Sequence, residues 1–381
     1  METKKYRFDE VTINFDKKRI PLSSAQREKR QGTFRYYGAQ GVIDHVDDYI
    51  FDGTYLLIAE DGENLKSKKQ NIAQVVDGQF WVNNHAHIVQ GNEQCDTRFL
   101  CYLINSMDLS GYVTGSAQPK LSQANLNAVT LSLPTLAEQK RIVEYLYMLD
   151  QKIDVNRQIN DNLYAQAKAT TKQWISKSTG DYELLPLSNI ASINPDTYSP
   201  KETWKYVNYL DTSSITEGCI AEIQHITPSS EKLPSRARRK IAPNDIVFST
   251  VRPNQRHYGI ISEPLPNMLG STGFAVIRSK NPLVCNELIY LCLTENEFIE
   301  KMQQLAEQST STFPAIKPSD LGVCEIPCPK DQSSTSFTET LKSLFALIAA
   351  NQRENISLSE IRDVLLPKLM SGEIDVSDIQ L

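Results

Sequence analysis

The 381-residue chain contains no run approaching the ~18 consecutive apolar residues that a membrane helix requires. Its opening, METKKYRFDE, is charged where a secretion signal turns apolar, so a soluble protein that stays in the cytoplasm is expected. Cysteine is scarce: the seven present (Cys95, Cys101, Cys219, Cys285, Cys292, Cys324, Cys328) are odd in number and never form C-x-x-C. A disulfide framework and a zinc ribbon are thereby excluded, and reduced, mostly buried thiols are expected. The signatures of several enzyme classes are missing too. There is no G-x-x-x-x-G-K-[ST] phosphate loop, which argues against ATP hydrolysis, and no strained G-x-S-x-G elbow. Methyl transfer to a base needs a Gly-rich cofactor loop and an [ND]-P-P-[YF] motif; the nearest approach is Asn194-Pro195-Asp196-Thr197.

What is present is a globular composition, 40% hydrophobic and 23% charged with a net charge of −6, and length for two to three domains. The chain is also a repeat. A shift of 195 pairs Pro119 with Pro314, Leu121 with Ile316, Leu126 with Leu321, Pro134 with Pro329, Leu146 with Leu341, Ile153 with Ile348, Asn156 with Asn351 and Asn160 with Asn355. Upstream, a shift of 188 pairs NNHAHIV (83–89) with STGFAVI (271–277). Each half therefore runs from a loop-rich globular part, through a P-x-[LI] turn and a strand-like run ending in Pro, into a long helical segment.

Thr135 and Glu138 form a T-x-x-E capping box and Gly180 closes the segment behind them, which predicts a helix of about 40 residues. Ile142, Leu146, Leu149, Ile153, Leu163, Ala167, Thr170 and Trp174 make a coiled-coil seam on it. The second helix has Ser336 and Glu339 as its expected cap, Phe337, Leu341, Leu344, Ile348, Leu358, Leu365 and Leu369 on its seam, and Pro367 and Gly372 at its end. Asn156, Asn160, Asn351 and Asn355 interrupt the seams at equivalent places. They either set register between the helices or face solvent where the helices splay. An antiparallel pairing would give the molecule pseudo-twofold symmetry.

Clusters with catalytic potential are few. Asp9 with Asp16, Lys17 and Lys18 has the composition of a metal-dependent nuclease site, and His85 and His87, at i and i+2 on an expected strand, have the spacing to hold a metal. Such spacings are common in any charged segment, and hydrogen-bonded histidines are the simpler expectation. Charge is more telling. Residues 17–40 carry Lys17, Lys18, Arg19, Arg27, Lys29, Arg30 and Arg35 against Glu28 alone, a local charge of +6, interleaved with Phe34, Tyr36 and Tyr37. Residues 231–258 carry Lys232, Arg236, Arg238, Arg239, Lys240, Arg252 and Arg256 against Glu231 and Asp245, a local charge of +5. Basic side chains contact phosphates and Arg, Asn and Gln read base edges, so Arg252-Pro253-Asn254-Gln255-Arg256 is equipped for sequence readout. Candidate DNA contacts are Arg19, Arg27, Lys29, Arg30, Arg35, Tyr37 and Lys120 in the first half. In the second they are Arg236, Arg238, Arg239, Lys240, Arg252, Asn254, Gln255 and Arg256. The stretch 44–63 carries seven acidic residues and no Lys or Arg, and is expected to face away from DNA or toward a basic partner.

Taken together, YYGAQGVIDHVDDYIFDGTYLLIAEDG (36–62), QPKLSQANLNAVTLSLPTLAEQKRIVEYL (118–146), NDIVFSTVRPN (244–254) and RDVLLPKLMSGEI (362–374) give the chain a pattern that resembles the DNA-specificity subunit of type I restriction-modification enzymes. The first strand-to-helix junction carries the E-Q-K-x-I run of that pattern; the second, IPCPKDQSSTSFTETL, does not. The resemblance implies an α+β fold with two repeated target-recognition domains, each reading half of a bipartite DNA site. Two long antiparallel coiled-coil helices set the spacer between the halves. It implies domains at 1–134 and 180–330 and helices at 135–179 and 331–381. The chain would be non-catalytic and hold no cofactor or metal of its own. Its partners would be double-stranded DNA, two methyltransferase subunits that modify adenine with S-adenosylmethionine, and motor-nuclease subunits, with no membrane. The rival expectations are a stand-alone metal-dependent endonuclease using Asp9, Asp16 and Lys18, and a coiled-coil protein scaffold.

Overall fold

The computed structural model describes residues 2–68, 70–115, 118–178, 180–199, 201–309 and 313–374. Its contacts divide the chain into two units, Met1–Asp154 with Asn355–Leu381, and Val155–Glu354. Each unit holds one mixed module and a part of both long helices.

In the first unit the strands are β1 (Lys4–Arg7), β2 (Thr12–Asn14), β3 (Gln31–Gly38), β4 (Gly41–Val46), β5 (Phe51–Asp52), β6 (Tyr55–Ala59), β7 (Ala73–Val76), β8 (Gln79–Val82), β9 (Ala86–Gly91) and β10 (Thr130–Leu133). Short helices α1 (Phe8–Val11), α2 (Ser24–Glu28), α3 (Asn64–Ser67), α4 (Thr97–Ser106) and α5 (Gln123–Asn127) intervene, and α6 (Leu136–Lys177) follows. The strands form two four-stranded sheets, ordered β2-β9-β6-β7 and β4-β3-β8-β5, and a β1-β10 ribbon. The period of two in a strand sorts the apolar residues of β6 to opposite faces. Leu57 joins Tyr37, Phe80, Val82 and Ile88 between the two sheets. Leu56 and Ile58 join Phe99, Leu100, Ile142, Leu146 and Leu369 beneath the α-helices.

The second unit repeats this design. Its strands are β11 (Tyr182–Pro186), β12 (Ala191–Ile193), β13 (Val207–Leu210), β14 (Ile215–Thr216), β15 (Cys219–Ile220), β16 (Gln224–Ile226), β17 (Ala237–Lys240), β18 (Asp245–Ser249), β19 (Tyr258–Ile261), β20 (Met268–Ser271), β21 (Phe274–Ser279) and β22 (Glu325–Pro329). Its helices are α7 (Leu187–Ile190), α8 (Asn286–Leu293), α9 (Asn296–Glu307), α10 (Pro318–Gly322) and α11 (Thr335–Ser371). The sheets, β12-β21-β18-β19 and β16-β13-β20-β17, and the β11-β22 ribbon match those of the first unit strand for strand; the β14-β15 hairpin is an insertion. The parallel pair β3-β8 has its counterpart in β13-β20. The same alternation holds: Val247 packs between the sheets, while Ile246 and Phe248 pack beneath the helices. The duplication read from sequence is thus a duplication of topology.

Helix α6, with 42 residues, matches its expected length of about 40, and α11 has 37. Thr135 and Glu138 cap α6 reciprocally, Thr135 N–H donating to the Glu138 carboxylate at 2.9 Å and Glu138 N–H to Thr135 Oγ1 at 3.4 Å. The expected Ser336 cap is corrected. Helix α11 starts at Thr335 after a 3-10 turn in which Asp331 accepts from Ser333 N–H, so Ser336 lies inside the first turn. Pro367 does not end the helix either. It sits within α11, which runs to Ser371 before Gly372 adopts a left-handed φ of 74°. Within each unit the helices run antiparallel. In the second, Trp174 stacks on Phe337 at 4.4 Å. In the first, Arg362 pairs with Asp150 at 2.8 Å.

The thiols are free. Cys95, Cys285 and Cys328 are buried, Cys101, Cys292 and Cys324 are half-buried and Cys219 is exposed. Fewer than expected are therefore fully buried. No helix among the described residues is long and apolar enough to cross a membrane.

Candidate nucleic-acid interface

In each module the C-terminal ends of the parallel pair and of the strand leading out of the other sheet bring four segments to one end. The backbone bonds that gather them are the same in both. Leu121 N–H donates to Glu60 O at 2.8 Å, as Ile316 N–H does to Thr250 O at 2.9 Å. Gly62 N–H donates to Pro119 O at 3.1 Å, as Arg252 N–H does to Pro314 O at 2.9 Å. Glu60 N–H reaches His85 O at 2.9 Å, as Thr250 N–H reaches Gly273 O at 2.8 Å. The P-x-[LI] turn of each half is the fixed rail against which the loop after β6 or β18 is tied.

The side chains on these equivalent frames differ in charge. At the first end, a cleft of about 440 Å³ is lined by Gln40, Asp61, Glu63, Asn64 and Gln70 among others. Below it lies a buried polar network. Asp16 accepts Ile88 N–H at 2.8 Å and faces His87 Nδ1 at 2.7 Å, while His87 Nε2 donates to Leu121 O at 2.8 Å. Burial opposes the charge of Asp16, yet the bonds from His87 and Ile88 outweigh it and hold the carboxyl below its ordinary range. Glu60 likewise overcomes burial through Arg19, His87 and Lys120 and is held low. Position 60 of this frame is occupied by Thr250 in the second module, and the loop that follows carries Arg252 and Arg256.

The first basic run is not gathered into one surface. Arg19 is corrected as a surface cation: its side chain is only 15% exposed and is spent on Glu60 at 2.9 Å and Ala86 O at 2.7 Å. Tyr37 is corrected too, because it is buried between the sheets, where burial raises its phenol pKa. Arg27 pairs with Asp44 at 2.8 Å and Arg30 with Asp47 at 2.9 Å, the latter lying 4.8 Å over the Trp81 ring. Arg35 donates to Asp77 O at 2.7 Å, and Lys120 pairs with Glu60 at 3.2 Å. Lys29 is exposed at the end of α2. Asp44, Asp47, Asp48 and Glu60 of the acidic stretch 44–63 pair with the basic run of their own module.

The second run is less consumed. Lys240 pairs with Glu202 at 2.7 Å, and Arg256 with Glu217 at 3.1 Å and Asn296 at 2.9 Å. Arg236 is exposed and Arg238 half-buried; Arg239 Nε is buried without a hydrogen-bond partner, and burial lowers its pKa. Asn254 and Gln255 are exposed. Arg252 lies 4.6 Å over the Phe313 ring. Thr272 N–H donates to Arg236 O and Thr250 N–H to Gly273 O, so the turn between β20 and β21 brings Arg236 and the 250–256 loop to the same end. Phe313 and the Asp16–His87 network were missed from sequence, since nothing local marks their partners.

Between the helices, Asn351 Nδ2 donates to Asn160 Oδ1 at 2.8 Å, Asn160 Nδ2 to Ile348 O at 3.4 Å and Asn156 Nδ2 to Glu354 at 2.7 Å. Asn355 is half-buried on α11. The residues of the rival nuclease reading are engaged elsewhere: Asp9 pairs with Arg7 at 3.0 Å, Asp16 is held by His87, and Lys18 lies 5.3 Å from the Phe15 ring. His85, expected on a strand beside His87, sits before β9 and pairs with Asp61 at 2.7 Å. Among the described residues no group of three His, Cys, Asp or Glu is placed to hold a metal.

Two copies of one two-sheet module share a backbone frame and carry unlike side chains where its loops gather. Residues 2–165 match the family model described as the type I restriction modification DNA specificity domain. Over those residues, in the first half of the chain, it is similar to the DNA-specificity subunits of type I restriction-modification systems. It is 36% identical to a Haemophilus influenzae chain bearing a type I restriction enzyme specificity subunit name, over 36% of this chain and 35% of that one, about a third of the relative's length. It is 22% identical to the type I restriction enzyme HindI specificity subunit of the same organism, over 85% of this chain and 84% of the relative. The fold is that of the type I restriction-modification S subunit from M. genitalium, with a TM-score of 0.58, 15% identity, and coverage of 97% of this chain and 96% of that one.

Proposed function

We propose that the chain is the sequence-specificity subunit of a type I restriction-modification complex, that it reads a bipartite double-stranded DNA site with one module per half, and that it has no catalytic step of its own. The observation that carries this is the duplicated frame. The backbone bonds holding the loops are repeated between the modules, while the residues at the bonded positions change from Glu60 and Gly62 to Thr250 and Arg252. That is the design of two readers of different sequences on one scaffold. Residues 1–134 and 180–330 serve as the recognition domains, and 135–179 and 331–381 as the helices that set the gap between half-sites, with Asn156, Asn160, Asn351 and Asn355 fixing their register. The partners are two adenine methyltransferase subunits, which bring S-adenosylmethionine, and motor-nuclease subunits for restriction. The work is done in the cytoplasm, where the DNA is.

The test is a genome-wide map of adenine methylation in the source cell, with and without this gene. Methylation at a two-part motif with a fixed gap is expected to vanish on deletion. An unchanged map in a cell that methylates such a motif would reject the reading.

A further inference from the structure

Resting on the specificity reading, we propose that Arg252 reads a guanine in the half-site of the second module, and that Phe313 is the positioning residue that presents it.

The loop is tied down through its backbone. Arg252 N–H is tied to Pro314 O at 2.9 Å, in the same frame position that Gly62 occupies against Pro119 in the first module. The backbone at Arg252 is left-handed, with φ of 48°, and so is that at Arg256, with φ of 56°, so the Pro253–Gln255 turn between them is tightly wound. The first module presents a side chain of hydrogen at this position; the second presents a guanidinium.

Among the described residues the guanidinium is also uncommitted. Arg256, four residues on, spends its donors on Glu217 and Asn296. Arg252 makes no ion pair among the described residues and instead lies 4.6 Å over the Phe313 ring, which is itself 52% exposed. A ring face fixes the plane of a guanidinium without consuming its N–H donors, which remain directed outward along the edges. A planar, pre-oriented fork of donors matches the paired acceptors O6 and N7 of guanine in the major groove. Asn254 and Gln255 stand exposed beside it, and Arg236 lies at the same end of the module. A phosphate offers acceptors to the same fork, so the experiment separates base from backbone.

The assay uses the full chain assembled with its methyltransferase subunits. The methylated motif is mapped for the wild type and for Arg252→Gln, Arg252→Lys, Phe313→Leu and Phe313→Tyr. The expected wild-type motif has a guanine at one position of one half. Arg252→Gln and Arg252→Lys each lower the preference there by roughly tenfold to a hundredfold, with the other half-site unchanged. Lysine fails because it keeps the charge but not the fork. Phe313→Leu relaxes the same position, and Phe313→Tyr, which keeps a ring face, restores it; a merely structural role for Phe313 would not be read at one base. The proposal is overturned if every positional preference survives Arg252→Gln. It is equally overturned if methylation falls evenly at all sites with a shallower salt dependence and Arg252→Lys rescues it, the behaviour of a phosphate contact. Failure of the underlying reading shows separately, as a motif that persists when the gene is deleted.

Discussion

At the scale of single residues, the outcome turns on pairing. The run 17–40 carries a charge of +6 in isolation, yet Arg27, Arg30 and Arg19 each meet a carboxylate from the acidic stretch that follows it. Their partners lie 17, 17 and 41 residues away, so no local window of sequence shows the neutralisation. The Asp16–His87 contact spans 71 residues and is equally invisible. Its consequence is measurable. Asp16 and Glu60 are both held below the ordinary carboxylate range in the folded protein, so the stability they confer is complete above about pH 5 and is lost as pH falls through their lowered values. Replacing Asp16 by Asn should cost about 3 kcal/mol at pH 7, because a buried charge network loses one partner. The variant should then lose less than the wild type on acidification. Urea unfolding of the full chain between pH 7 and pH 3 checks both, and equal stability of the two proteins at pH 7 would contradict the role of the network.

Among the elements, the long helices were legible because their signals are periodic and local. The Thr135–Glu138 box and the four-three spacing place α6 closely. Helix α11 shows where such signals mislead. The Ser336 and Glu339 spacing copies a capping box, but the Gln332–Ser334 turn has already begun the winding, and Pro367 is tolerated inside the helix. The two junctions explain why the E-Q-K-x-I run occurs once. Gln139 is fully buried, accepting Asp96 N–H at 2.9 Å and donating to Gln94 O and Pro134 O. The residue 195 positions on is Ser334, also buried, which accepts from Trp174 Nε1 at 3.1 Å. Each junction is locked by a polar side chain, but against a different partner. The Asn pair between the helices yields a further prediction. Asn351→Leu leaves the Asn160 carbonyl oxygen without its donor and should destabilise the second unit by about 1–3 kcal/mol. Changing Asn160 and Asn351 together to Leu should recover most of that loss, since an apolar seam replaces a matched polar one. Thermal unfolding of the two single variants and the double variant makes the cycle, and additive losses would show that the pair is not coupled.

For the molecule as a whole, the duplication organises everything else. Removing seven residues from each long helix, two turns that keep the heptad seam in phase, should change the gap between the half-sites of the methylated motif while leaving both half-sites as they were. An unchanged gap in the methylation map would refute the spacer role. The number of modules, the two long helices and the turn that precedes each all follow from the sequence alone, because internal similarity and helical periodicity are written in neighbouring or regularly spaced positions. Which cations are paired within their own module was decided only by the tertiary structure. Charges separated by tens of residues are brought within 3 Å by sheet register, and at that distance Coulomb attraction and hydrogen bonding spend Arg19, Arg27 and Arg30 inside the module. Arg252, 4.6 Å over the Phe313 ring, makes no ion pair among the described residues.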